Sequence, residues 1–318
     1  MSHSVGAPVR AAPASGTRPL MDRLLQETSR TFALTIPLLA DPTRYEVTLA
    51  YLLFRVADTL EDATRWDRRK KLAELERLGR LLDHPGDAAA ASLAADWTAD
   101  PPVDHQGYRW LLAELPAVMA SAASLSPEAW RLITTHTSRT IQGMASFVSR
   151  EESGALGLRD LADLRAYCYA VAGIVGEMLT ELFLLGRPAL WPEGAALRAD
   201  AATFGEALQL VNILKDSATD SKEGRYYLPP GLGRDDVFAV ARRDLSVAAG
   251  YCRRLERIGA ERGLVAFTAL PVLLALASLD RVEERGPGGK LTRDEVARIV
   301  AELQAGLERG AVSALLPA

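Results

Sequence analysis

From about residue 19 onward, apolar residues recur three and four positions apart, the period of helix faces packed on a common core. No stretch alternates apolar and polar residues over a useful strand length, and no short unit repeats. The pattern is interrupted where Pro, Gly and Asp collect, at 40–42, 83–86, 100–102, 126–127, 186–188, 227–231 and 286–289. Some breaks also start helices: Ser126, Pro127 and Glu128 read as an N-cap, a first-turn proline and a first-turn acid. About nine or ten helices fit between the breaks. No break has the character of an interdomain linker, so a single all-α domain over 19–318 is expected. Residues 1–18 are small and polar, lack the apolar run of a signal peptide, and read as a disordered tail.

Two helical segments depart from the apolar pattern in the same way. Residues 45–62 read YEVTLAYLLFRVADTLED. With Tyr51 as zero, Arg55 falls at about 40°, Asp58 at about -20° and Asp62 at about 20° around the helix. Residues 204–220 read FGEALQLVNILKDSATD. With Gln209 as zero, Asn212 lies at about -60°, Asp216 at about -20° and Asp220 at about 20°. An Asp pair four residues apart is usually a solvated helix face, and it costs the helix a few tenths of a kcal/mol in like-charge repulsion. Here Leu, Val, Ile and Phe hem the stripe on nearly every other position, and Gln and Asn stand in register with the acids. That favours a polar pocket above an apolar interior. Carboxylate and amide oxygens are hard ligands that suit Mg²⁺, which takes the rest of its shell from water and phosphate. Two facing pairs would clamp such ions around a diphosphate and neutralise it as a leaving group. Arg55 and Arg225 are placed to add cationic forks on phosphate oxygens.

Composition narrows the partners. Of 318 residues, 48% are apolar and only 6% aromatic, enough for a core with a cavity inside it. The net charge of -4 includes no flood of Lys and Arg, so nucleic acid is not an expected partner. Cys168 and Cys252 cannot form a disulfide framework and read as small buried residues. The four histidines, His3, His84, His105 and His136, are scattered, which argues against a histidine metal site. The longest apolar run, 264–279, is shorter than the ~20 residues of a membrane span and contains Pro271. No transmembrane helix and a cytoplasmic location are expected, with peripheral membrane contact left open.

DTLED at 58–62 and QLVNILKDSATDSKEGRYYLP at 209–229 resemble the squalene and phytoene synthases. So do SRTFALTIPLL at 29–39, GMASF at 143–147 and YCYAVAGIVGEMLTELF at 167–183, all in the family's order. The resemblance implies an isoprenoid-synthase helical bundle around a central cavity. It also implies head-to-head condensation of two prenyl diphosphates through a cyclopropylcarbinyl diphosphate. By position it assigns Mg²⁺ to Asp58, Glu61, Asp62, Asn212, Asp216 and Asp220. Diphosphate contacts fall to Ser29, Arg30, Tyr51, Arg55, Gln209 and Arg225, and a prenyl contact to Phe32. Tyr167 matches the family's catalytic tyrosine, although without the motif a core tyrosine would be the plainer reading. Ala170, Ala172, Gly173 and Gly176 follow it and serve either close packing or room for a chain.

DTLED and the stretch AFTALPVLLALASL at 266–279 are similar to the squalene branch, which implies farnesyl diphosphate as substrate and a reductive second step with NADPH. The alternative is phytoene or dehydrosqualene formation without NADPH. No GxGxxG fingerprint is present; Arg30, Lys215 and Lys290 occupy places where basic residues meet the cofactor's phosphates in that branch. The second motif departs from the usual DxxED, with Ala218 and Thr219 before Asp220. A non-catalytic relative would have lost these acids, and a head-to-tail elongase or terpene cyclase would carry DDxxD or an NSE-type motif, neither of which is present.

Overall fold

The computed structural model describes residues 17–152, 156–222 and 225–317. Most of the expected 1–18 tail, and Gly224 after the second acid pair, lie outside the described residues; Arg18 already opens the first helix. The described chain forms fourteen α-helices: α1 (Arg18–Thr28), α2 (Phe32–Thr35), α3 (Thr43–Glu61), α4 (Arg68–Asp83), α5 (Asp87–Ala99), α6 (Gln106–Ala113) and α7 (Leu115–Ala122), then α8 (Pro127–Val148), α9 (Leu161–Cys168), α10 (Ile174–Leu184), α11 (Gly194–Lys222), α12 (Arg234–Arg257), α13 (Arg262–Arg285) and α14 (Arg293–Arg309). The number exceeds the expected nine or ten because some periodic stretches are subdivided. Glu114 separates α6 from α7 just before Pro116, and a π-helical turn, Tyr169–Gly173, joins α9 to α10. All seven Pro/Gly/Asp breaks fall in connections or at helix ends, and Ser126 caps α8 by accepting the Ala129 N–H at 3.2 Å.

Two short strands that the alternation pattern did not reveal, β1 (Leu156–Gly157) and β2 (Arg225–Tyr226), pair in parallel. At two residues each they are too short to leave a period-2 signature.

Helix α3 is buried on almost every side, which marks it as a central element. It packs with α1, α4 and α8, while α11 packs with α10, α12, α13 and the π turn. The α10–α11 crossing is made at backbone contact. A methyl on Gly176 would stand 2.0 Å from the Ala201 carbonyl oxygen, and one on Gly205 2.0 Å from that of Ala172. Gly173 and Gly176 therefore serve packing, and Ala172 and Gly176 also border the cavity. Arg139 of α8 fastens the π turn from outside, donating to Glu177 Oε2 at 2.7 Å and the Tyr169 hydroxyl at 2.6 Å.

Residues 161–184 and α13 are long and apolar enough to cross a membrane by length and composition, which the apolar-run length alone did not suggest. Both sit inside the bundle, with 61% of each apolar window buried. Their apolarity has a packing cause, since each covers neighbouring helices on one side and lines the cavity on another. Cys168 and Cys252 are buried free thiols, as expected.

Candidate active site

A polar chamber of about 330 Å³ opens between the C-terminal ends of α3 and α11. Asp58, Glu61 and Asp62 reach it from α3, and Asn212, Asp216 and Asp220 from α11. The helical period alone accounts for this: one turn separates the acids on each helix, and the two stripes face each other. Arg225 enters from β2. It donates to Asp62 Oδ1 at 2.9 Å and lies 3.6 Å from Asp220 Oδ1, so it ties the two stripes together. Arg55 lies 3.3 Å from Asp58 Oδ2 and donates to the Tyr51 hydroxyl at 3.2 Å. Tyr51 in turn donates to the Thr28 carbonyl at 2.7 Å.

Beneath the chamber lies an apolar cavity of about 210 Å³, and Arg55, Asp58, Gln209 and Asn212 border both spaces. Phe32 and Tyr51, 5.4 Å apart between ring centres, form part of the cavity wall with Phe54, Val171 and Pro271. A charged compartment thus opens directly into a greasy one.

The electrostatics of the chamber are those of crowded anions. Burial raises Asp58 to about 6; the Arg55 charge opposes the rise and the Asp62 charge adds to it. Glu61 is raised well above the usual carboxylate range by burial and by Asp62 and Asp58. Burial would lower the Arg55 guanidinium, but Asp58, with Tyr51 and Tyr108, outweighs it and the group is held above its ordinary value. Three carboxylates on one helix end, partly neutralised by two arginines, leave a site that favours additional cations. Among the described residues, no three acidic, His or Cys side chains converge closely enough to hold one ion by themselves. The donor set is hard oxygen throughout, which fits Mg²⁺ completing its shell with water and phosphate.

Tyr167 is buried, and its hydroxyl hydrogen-bonds Glu61 Oε1 at 3.2 Å and the Tyr227 hydroxyl at 3.1 Å. Its ring stacks on Tyr227 and meets Phe147 edge-on. Burial, then the Glu61 and Tyr227 neighbours, push the phenol well above its ordinary value, so it is protonated at neutral pH. Glu61 is thereby turned toward the tyrosine as well as the chamber. The sequence reading missed Tyr227. Arg225 and Tyr227 share a face of the extended chain while Tyr226 points away and is 50% exposed, but a two-residue strand leaves no pattern in the sequence from which to read this.

Other expected residues fall outside both spaces. Ser29 Oγ accepts the Phe32 N–H at 2.9 Å and so caps the α2 turn, and Arg30 beside it is exposed. Lys215 donates to Asn212 Oδ1 at 2.9 Å, and its carbonyl accepts the Gly288 N–H at 2.7 Å, bringing the loop that carries Lys290 onto α11. Two of the three expected cofactor anchors thus lie on adjoining segments at the rim. Neither lines the chamber or the cavity.

A helical bundle whose two acid-bearing helices face each other over an apolar cavity belongs to the isoprenoid-synthase class of folds. The family model for squalene/phytoene synthase matches residues 25–298, and the chain belongs to that family. It is 29% identical over 278 residues to the squalene synthase of Eremothecium gossypii, covering 81% of this chain and 60% of that protein. Among solved structures, a ligand complex of TcSQS superposes with a TM-score of 0.70 at 23% identity, covering 96% of this chain and 93% of that one. A dehydrosqualene synthase complex gives 0.59 at 19% identity, covering 92% and 97%.

Proposed function

We propose that this protein condenses two molecules of farnesyl diphosphate head to head, through a cyclopropylcarbinyl diphosphate, and reduces that intermediate to squalene with NADPH. The observation that carries the reading is the continuity of the acid-lined chamber with the apolar cavity, bordered by Arg55, Asp58, Gln209 and Asn212. A molecule with a multiply charged anionic head and a hydrocarbon tail fits that division of space. The squalene synthase relatives favour the squalene branch over phytoene or dehydrosqualene.

Asp58, Asp62, Asn212, Asp216 and Asp220, with Glu61 at the edge, would hold Mg²⁺, which when bound neutralises the leaving diphosphate. Arg55 and Arg225 grip phosphate oxygens, and Gln209 donates from the chamber floor. The apolar walls exclude water from the allylic cation left behind. Tyr167, oriented by Glu61 and Tyr227, receives the proton whose loss closes the cyclopropane and passes its own to Glu61. Lys215 and Lys290 would hold the phosphates of NADPH, which when bound would supply the hydride of the second step. Contact with a membrane surface is part of this proposal, because the product is a hydrocarbon.

The acid assignment is tested by Asp58→Ala and Asp216→Ala. Each variant should lose diphosphate release by at least ~1,000-fold while its circular dichroism stays parental. Parental turnover in either variant, or in excess chelator, refutes the assignment.

A further inference from the structure

The inner end of the apolar cavity is closed by Phe204 of α11 and Phe267 of α13, with Leu179 and Gly176 of α10 beside them. The same four residues form the near wall of a second, much smaller space of about 20 Å³. Its far wall includes Thr180, Phe183, Tyr251 and Thr268. The partition is therefore about one ring thick. Phe204 lies 5.3 Å from the Tyr251 ring, and Phe267 meets Phe183 edge-on at 5.8 Å. The polar atoms of the far wall are already satisfied. Thr180 Oγ1 and the Tyr251 hydroxyl are 2.9 Å apart, and Thr268 donates to the Leu264 carbonyl at 3.0 Å. The backbone here has no slack, because Gly176 already places α10 against the Ala201 carbonyl. A chain too long for the cavity cannot push the helices apart, so the size of the ring at 204 decides where it must stop.

We propose that Phe204, supported by Phe267, sets prenyl chain length. It ends the cavity at fifteen carbons, and the small space behind it begins the room that a twenty-carbon chain would need. The proposal rests on the functional reading above. Phe204 touches the tail and acts on substrate choice, while the diphosphate chemistry lies at the other end of the cavity.

Binding of farnesyl and geranylgeranyl thiolodiphosphates, measured by calorimetry with Mg²⁺, reads the cavity without requiring turnover. The parental protein should bind the farnesyl analogue at least ~10-fold more tightly than the longer one. Phe204→Leu, which shortens the partition with little loss of packing, should reduce that ratio at least ~5-fold, and Phe204→Ala should abolish or reverse it. Phe238→Leu, a comparable loss from a buried α12 ring outside the cavity, should leave the ratio as it was. Equal binding of both analogues by the parental protein overturns the proposal. So does an unchanged ratio in both Phe204 variants, or an equal shift in Phe238→Leu. Failure of the functional reading is separate: the analogues would then be discriminated as described while farnesyl diphosphate itself is never ionised. If neither analogue binds the parental protein, both ideas fall.

Discussion

The Tyr167 hydroxyl is the most exacting single group in the site, because two partners fix its position and burial keeps it protonated. Tyr167→Phe removes one oxygen and leaves the stack on Tyr227 and the edge contact with Phe147 in place. Formation of the cyclopropyl intermediate should fall by at least ~100-fold, the usual worth of positioned proton transfer, with substrate affinity within about threefold of parental. Rapid-quench analysis of the intermediate checks this, and a parental rate would reduce Tyr167 to a packing residue. Residue identity at this scale was legible where helical period settles direction, as for Asp58, Asp62, Asp216 and Asp220. It was not legible for Tyr227, whose partner is 60 residues away across a two-residue strand. Nor could it show that Ser29 Oγ accepts the Phe32 N–H.

At the scale of elements, the junction of α8 with α9 rests on a buried carboxylate. Asp163 accepts from Arg150 Nη1 at 2.8 Å and from the Arg159 backbone N–H at 3.0 Å, while Asp160 caps α9 by accepting the Asp163 N–H. The Arg150 hydrogen bond holds Asp163 far below the ordinary carboxylate range; burial opposes this, and Arg159 assists it. Because the folded value is depressed, the stabilisation is complete above the unfolded value near 4 and drains away as pH falls below it. Asp163→Asn should lower stability at pH 7 by about 1–3 kcal/mol. The gap between parental and variant protein should shrink steadily as pH drops from about 5 toward 2. Urea denaturation across that range measures it, and a gap independent of pH would show that charge at Asp163 contributes nothing. The boundaries at the seven Pro, Gly and Asp breaks followed from composition, but subdivisions such as that at Glu114, and the π turn at 169–173, did not. The π turn arises from tertiary fit between Gly173, Gly205 and the Arg139 clamp, which no local propensity encodes.

Across the whole molecule, the all-α single domain was legible from one long 3.6-residue period and the absence of alternation. The meeting of the two stripes was legible only as an inference from their likeness, since nothing local specifies which helices become neighbours. The volume of the cavity, and the point at which Phe204 and Phe267 stop it, depend on side chains from α2, α3, α10, α11, α13 and the turns beside them and have no signature in one segment. The central claim is that charged chamber and apolar cavity together join two fifteen-carbon diphosphates head to head. Incubating the purified protein with farnesyl diphosphate and Mg²⁺, with and without NADPH, and identifying the products by mass spectrometry tests it most directly. The account predicts presqualene diphosphate without the reductant, squalene with it, and neither in excess chelator. Unchanged farnesyl diphosphate under all conditions, or a linear head-to-tail diphosphate as the product, would contradict it.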